Sequence, residues 1–244
     1  MSHPGMLERF APIADLVELI YYDQRGHGRS SRAPAATYTI GDQAEDLHAL
    51  CATLKIERPV MLGTSAGGFT ALAHAGRYPE EPRALILIGT SPSSAFMPRA
   101  TANIERLGTP AMVAAYRSLW DGSITEPRAF KRAFETITPM YYHDKRRVPS
   151  SLDGTQFDPD TRRAYINDYP NYDARPLLGR VRVPTLIAVG RHDWICPVEE
   201  AFEIARLMPQ AEVHIFEHSG HSPQVEERDA FMAVVRRFLT ALPR

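Results

Sequence analysis

The 244-residue chain has only two cysteines, Cys51 and Cys196, too few for a disulfide framework. Its formal net charge of -1 gives no electrostatic reason to expect nucleic acid or an anionic membrane as partner. No apolar run approaches the length of a membrane span. The N-terminus also lacks the basic region and apolar segment of a secretory signal, so a cytoplasmic protein is expected. No H-E-x-x-H occurs, and neither a metal nor a cofactor is expected in the chemistry. Gly26-His27-Gly28-Arg29-Ser30-Ser31 misses the final glycine of a dinucleotide fingerprint.

What is present is a G-x-S-x-G segment, Gly63-Thr64-Ser65-Ala66-Gly67. It follows the apolar run Pro59 to Leu62 and opens a small-residue helix from Gly67 to Arg77. That setting forms a nucleophile elbow, in which the glycines let the backbone turn sharply and expose the serine at a sheet's carboxyl edge.

Strand-like runs alternate with helical patterns, which predicts an α/β fold with a mostly parallel sheet flanked by helices. Residues 17–22 read as the first strand, followed by 60–62, 84–88, 185–189 and 213–216. Thr39 reads as an N-cap with Asp42 three residues on. Behind it, Ala44, Leu47, Cys51 and Leu54 recur at helical spacing and predict a buried face. Further helices are predicted over 198–207 and 229–239. Residues 91–178 carry no strand pattern. Helices over 110–120 and 127–137 each open with Pro, which suits a first helical position. A helical cap insertion over 91–178 is expected, with 1–90 and 179–244 forming the core. Met112, Tyr116, Trp120, Tyr141 and Tyr142 are candidates for the pocket beneath it.

A serine nucleophile needs a base, and the base needs an orienting group. In an elbow-type hydrolase these follow in the order serine, acid, histidine. Asp193, in Gly190-Arg191-His192-Asp193 just past a buried strand, is the candidate acid. The alternative strand end, Gly89-Thr90-Ser91, offers no carboxylate. In His218-Ser219-Gly220-His221, Gly220 permits a turn that presents His221, whereas His218 lies closer to its strand and reads as structural. Ser65, His221 and Asp193 are thus the expected catalytic residues. The N–H of Ala66, directly after the nucleophile, is the expected oxyanion donor.

With these motifs the chain resembles the α/β-hydrolase superfamily from end to end. Tyr21-Tyr22-Asp23-Gln24-Arg25-Gly26-His27-Gly28-Arg29-Ser30 is similar to the D-Q-R-G-x-G-x-S segment of proline iminopeptidases, as are Gly190 to Asp193 and Gly220 to Ser222. A turn of this kind needs only its glycines and an internal ion pair for structural reasons. The resemblance implies a serine hydrolase acting on a small-molecule or short peptide substrate, leaning to an iminopeptidase-like aminopeptidase. Two departures keep a carboxylesterase or lactonase as the alternative: Ala66 stands where those peptidases carry Trp, and no acidic cap residue is assigned to the substrate amine. Glu126, Glu135, Asp121 and Asp144 are available for that task. An inactive or ligand-binding homologue is the alternative of another class.

The family also begins with further strands and an H-G-G-P-G-like loop, which donates the second oxyanion N–H and precedes the helix matching Leu7 to Ala14. Ser2-His3-Pro4-Gly5 is at most a fragment of that neighbourhood. The family's N-terminal strands are therefore expected to be absent, and the source of the second donor stays open. The oligomeric state is also open.

Overall fold

The computed structural model describes residues 4–152 and 155–243. Four strands, β1 (Val60–Thr64), β2 (Ala84–Ile88), β3 (Thr185–Gly190) and β4 (Ala211–Phe216), pair in parallel in the order β1-β2-β3-β4. A parallel pair needs a crossover, which helices supply. Before β1 lie α1 (Pro4–Phe10) and α2 (Ile40–Leu54), and α3 (Ala66–Arg77) links β1 to β2. Between β2 and β3 come α4 (Phe96–Leu107), α5 (Pro110–Trp120), α6 (Pro127–Ile137), α7 (Pro159–Asp168) and α8 (Arg175–Leu178). The chain then runs through α9 (Val198–Leu207), α10 (Pro223–Glu226) and α11 (Arg228–Ala241).

β2 and β3 are buried throughout, as strands covered on both faces must be. Side chains alternate across the sheet, so one strand feeds two cores. Leu85, Leu87, Ile187 and Val189 join Ala44, Phe69 and Leu72 from α2 and α3. Ile86, Ile88, Leu186 and Ala188 join Phe10, Phe231 and Val235 from α1 and α11 on the opposite face. Each fully buried Leu or Ile contributes about 1.5–3 kcal/mol relative to exposure.

The α2 boundary follows its sequence signal. Thr39 Oγ1 accepts from Asp42 N at 2.9 Å, and Lys55 stops the helix in the left-handed region at φ 54°. Ala44 and Cys51 are buried as expected, but Leu54, on the last turn, is exposed.

The expected strand over 17–22 is a correction. Among the described residues, 18–22 make no backbone–backbone hydrogen bond, and β1 pairs with β2 alone. The alternation is real: Val17, Leu19 and Tyr21 pack on the second core while Ile20 is 49% exposed. Period-2 patterning reports which side chains are buried, whereas a strand also requires a neighbouring backbone to pair with.

Among the described residues, the segment between β2 and β3 is helical apart from one antiparallel bridge, Ser93 with Asp173. Ser94 N donates to Tyr172 O at 2.8 Å and Ala174 N to Pro92 O at 2.9 Å, so the two ends of the insertion are tied together where it leaves the sheet. The buried carboxylate of Glu200 on α9 takes a hydrogen bond from Ser91 Oγ at 2.6 Å and pairs with Arg99 on α4.

Candidate active site

Ser65 sits at the carboxyl end of β1 with φ 53° and ψ -123°, a conformation that non-glycine residues rarely adopt. The strain is held in place from two sides. Ser65 N donates to Ile88 O on β2 at 2.8 Å, and Thr90 Oγ1 donates to Ser65 O at the same distance.

The glycines around it divide their work differently from the simple motif. A Cβ on Gly63 would lie 2.5 Å from Gly67 O, so this glycine is required for strand and helix to approach. A Cβ on Gly67 would meet nothing within 4 Å. The crowded position is Gly68, where a Cβ would come within 2.3 Å of Thr90 Oγ1. Close packing at this turn thus needs a glycine one place beyond the motif as well as Gly63.

Ala66 begins α3, and a first-turn N–H has no acceptor inside its own helix. The structure therefore leaves that donor directed toward the helix's N-terminal end, beside Ser65. Ser2 and His3, part of the fragment compared with the family's oxyanion loop, lie outside the described residues.

Asp193 follows β3 and is buried. Its Oδ1 accepts from Ile195 N and Cys196 N, each at 3.0 Å, and its Oδ2 lies 2.7 Å from Nδ1 of His221. Gly89, at φ 51°, leaves room for this pair: a Cβ there would stand 3.1 Å from both Asp193 Oδ2 and His221 Nδ1. His218 is exposed and makes no such contact. Its backbone N donates to Glu227 Oε2 at 2.9 Å. His192 is exposed and stacks on His143 at 3.8 Å between ring centroids.

The loop carrying His221 is anchored by Tyr141, marked in the sequence only as a pocket candidate, and by Glu226, which no motif marked. His221 N donates to Tyr141 O at 2.8 Å, and the Tyr141 ring lies 5.3 Å from the imidazole, so the insertion touches the histidine directly. Glu226 on α10 accepts from Gly220 N at 2.6 Å and from Asp144 N at 2.9 Å. Burial pushes the Glu226 carboxyl up from its ordinary value, against the lowering effect of those bonds. The only sequence hint of this anchor is Pro223, which starts a short helix and places Glu226 on its last turn.

Ser65, Ala66 and His221 line one cavity of about 1250 Å³. Its walls include the rings of Phe69, Trp120, Tyr141 and Tyr169, and the Arg162 guanidinium stands 4.6 Å above the Trp120 ring. The cavity exceeds the roughly 300–1,000 Å³ of common ligand pockets because it continues along the open edge of β1 to residues 17–22. Of the pocket candidates, Trp120, Tyr141 and Tyr142 line it, whereas Met112 and Tyr116 do not. Tyr116 is a core residue bonded to Thr101. None of Glu126, Glu135, Asp121 and Asp144 lines the cavity. Asp158 does, but its oxygens cap α7 and pair with Arg32. Among the described residues, no three histidine, cysteine or carboxylate ligands converge on the cavity.

The preceding turn is built differently from the internal ion pair expected for it. Arg25 reaches out to Asp46 on α2 through a two-pronged pair, with Nε–Oδ2 at 2.6 Å and Nη2–Oδ1 at 2.7 Å. Asp23 Oδ2 accepts from Arg29 N at 2.9 Å, and Gly28 lies so close that a Cβ would overlap that carboxylate.

A family profile described as alpha/beta hydrolase fold matches residues 10–228. The proline iminopeptidase PfmaB of Pestalotiopsis fici is 28% identical, over 98% of this chain and 87% of its own. A proline iminopeptidase of Saccharolobus solfataricus is also 28% identical, over 96% of this chain and 81% of its own. Among solved structures, an alpha/beta fold family hydrolase from Bacillus anthracis superposes with a TM-score of 0.74 at 27% identity, covering 88% of this chain and 80% of that one. The enol-lactonase of Burkholderia xenovorans gives 0.70 at 25% identity, covering 98% and 87%.

Proposed function

The chain belongs to the α/β hydrolase fold family, and from that premise we propose that it is a serine hydrolase working through an acyl-enzyme. One observation carries the reading: a buried carboxylate, Asp193, holds Nδ1 of His221 at 2.7 Å beside the cavity onto which the strained Ser65 opens.

In this mechanism Nε2 of His221 takes the Ser65 proton as Oγ attacks the substrate carbonyl. Asp193 keeps Nδ1 protonated and stabilises the imidazolium that forms. The Ala66 N–H stabilises the tetrahedral oxyanion, and one such donor supplies about 2.7–4 kcal/mol of transition-state stabilisation. His221 then protonates the leaving group. A water, activated by the same imidazole, attacks the acyl-enzyme and releases the acid.

The aromatic residues among the cavity's walls favour an ester or lactone with an apolar acyl part. A prolyl aminopeptidase activity is the second reading, supported by the two iminopeptidase relatives. It requires a carboxylate for the substrate's ammonium group. The four cap acids considered for that role lie off the cavity, Asp158 is already engaged, and the cavity's other carboxylates, Glu8 and Glu18, are exposed on the N-terminal segment.

A chromogenic screen of short-chain nitrophenyl esters against prolyl arylamides, with Ser65→Ala as control, tests both. Ester turnover that disappears in the variant supports the proposal. Selective cleavage of the prolyl arylamide transfers it to the peptidase reading. Turnover unaffected by Ser65→Ala refutes the serine mechanism.

A further inference from the structure

On the far side of α2 and α3 from the cavity's catalytic end, the fold gathers His48 from α2, His74 from α3 and Glu81 from the turn before β2. Nδ1 of His48 meets Oε1 of Glu81, and Nε2 of His74 lies 2.9 Å from Oε2. One ligand atom from each residue lies within 4.8 Å of the other two. His74 is fully buried, yet neither of its ring nitrogens has a hydrogen-bond partner, and neither does Oε2 of Glu81. The 2.9 Å approach therefore brings two polar atoms together without the alignment of a hydrogen bond.

Buried polar atoms are almost always satisfied, and the two unsatisfied ones that face each other, His74 Nε2 and Glu81 Oε2, call for a group between them. We propose that His48, His74 and Glu81 bind a divalent transition cation of the zinc class, an ion that clamps α2 to the far end of α3. Two imidazoles and one carboxylate form a mixed nitrogen and oxygen donor set, which suits zinc and its neighbours, whereas magnesium and calcium take oxygen ligands. In a tetrahedral zinc site with bonds of about 2.0–2.2 Å, neighbouring ligand atoms stand about 3.4 Å apart. The three atoms, all within 4.8 Å of one another, are already near that spacing.

The surroundings fit a ligand site. The side chains of His48 and Glu81 are 39% and 30% exposed, so an ion has a route from solvent, and His74 closes the inner side. Tyr78 stacks on the His48 ring at 4.0 Å and 5°, which fixes the imidazole plane, and its hydroxyl donates to Glu45 at 2.6 Å. Such outer contacts orient ligands. His74 lies nine residues beyond Ser65, about 13 Å along a helix of 1.5 Å rise per residue. The ion is thus a clamp on the helix that carries the elbow and has no contact with the reacting atoms. No spacing motif marks the trio, because its members come from three separate elements.

The test uses the full chain with any affinity tag removed, stripped with chelator and titrated with zinc chloride by calorimetry and chelator competition. One equivalent is expected to bind and to raise the thermal midpoint. Cobalt(II) in its place is expected to give the visible absorption of a four-coordinate nitrogen and oxygen site. His48→Ala and Glu81→Gln change partly exposed positions, and circular dichroism verifies their folding. Each is expected to weaken binding at least about a hundredfold, since losing even an outer partner of a ligand costs roughly 10–100-fold. His192→Ala is the control, because His143 and His192 form another histidine pair. Absence of stoichiometric binding overturns the proposal. So does binding that survives both His48→Ala and Glu81→Gln, or that is lost instead in His192→Ala.

Discussion

Nδ1 of His221 lies 2.7 Å from Oδ2 of Asp193, while the other oxygen of that carboxylate is held by two backbone N–H groups at 3.0 Å. A carboxylate in this position only accepts, so the Nδ1 proton is fixed and Nε2 is left as the basic nitrogen. The backbone bonds from Ile195 and Cys196 fix the carboxylate itself, and Gly89 supplies the space that the pair occupies.

Asp193→Asn preserves shape but presents an amide to Nδ1 and favours the wrong tautomer. A fall in kcat of about 10⁴ is expected, the scale known for this substitution in a serine protease. Steady-state kinetics on the ester identified by the screen measures it. A loss below tenfold would remove Asp193 from the mechanism.

Ser65 should be the site of covalent labelling by an organophosphate or sulfonyl fluoride if it is the nucleophile of the proposed mechanism, since it opens on the cavity that His221 also lines. Peptide mass spectrometry of the labelled protein locates the adduct. His221→Ala should slow labelling by several orders of magnitude, with the fold intact by circular dichroism. Modification at another serine, or labelling indifferent to His221, contradicts the assignment.

Gly67 and Gly68 should respond in opposite ways to alanine. Open space at Gly67 and its place in the first turn of α3 predict a stability gain for Gly67→Ala of up to about 1 kcal/mol. Gly68→Ala forces Thr90 away and weakens its 2.8 Å bond to Ser65 O, so it should destabilise by about 1–3 kcal/mol and lower turnover. Denaturant unfolding curves of the two variants decide the matter, and equal effects would contradict the close approach at Gly68.

Glu226 makes stability depend on pH with a definite sign. Burial raises its folded-state value above the ordinary 4.5, so between 4.5 and that higher value the folded chain holds more proton than the unfolded chain. Its contribution therefore falls as pH rises through that window and is constant above it. Glu226→Gln cannot ionise. The thermal midpoint of wild type relative to the variant should decline from about pH 4 upward and then level off. A difference independent of pH would show that Glu226 does not titrate in this way.

Much of the framework was legible in the sequence because its signals are local. β2 and α9, with α5 and α6 opening on their prolines, occupy the predicted residues, since apolar runs, periodicity and first-turn prolines act within a few neighbours. The elbow was legible for the same reason, as a short strand, a tight turn and a helix in sequence. The preference for His221 over His218 rested on the turn permitted by Gly220, and the structure gives His221 the bond to Asp193.

The tertiary structure decided what depends on residues far apart in the chain. Residues 17–22 alternate as a strand does but have no described backbone beside them to pair with, and pairing is a property of two segments. The need for glycine at Gly68 comes from Thr90 on the neighbouring connection, and no pattern within the motif contains that contact. The grip of Tyr141 and Glu226 on the His221 loop spans the insertion and the core. The meeting of His48, His74 and Glu81 requires α2 and α3 to pack side by side. Local sequence fixes backbone conformation over short distances, whereas the placement of these side chains follows from burying the two faces of one sheet.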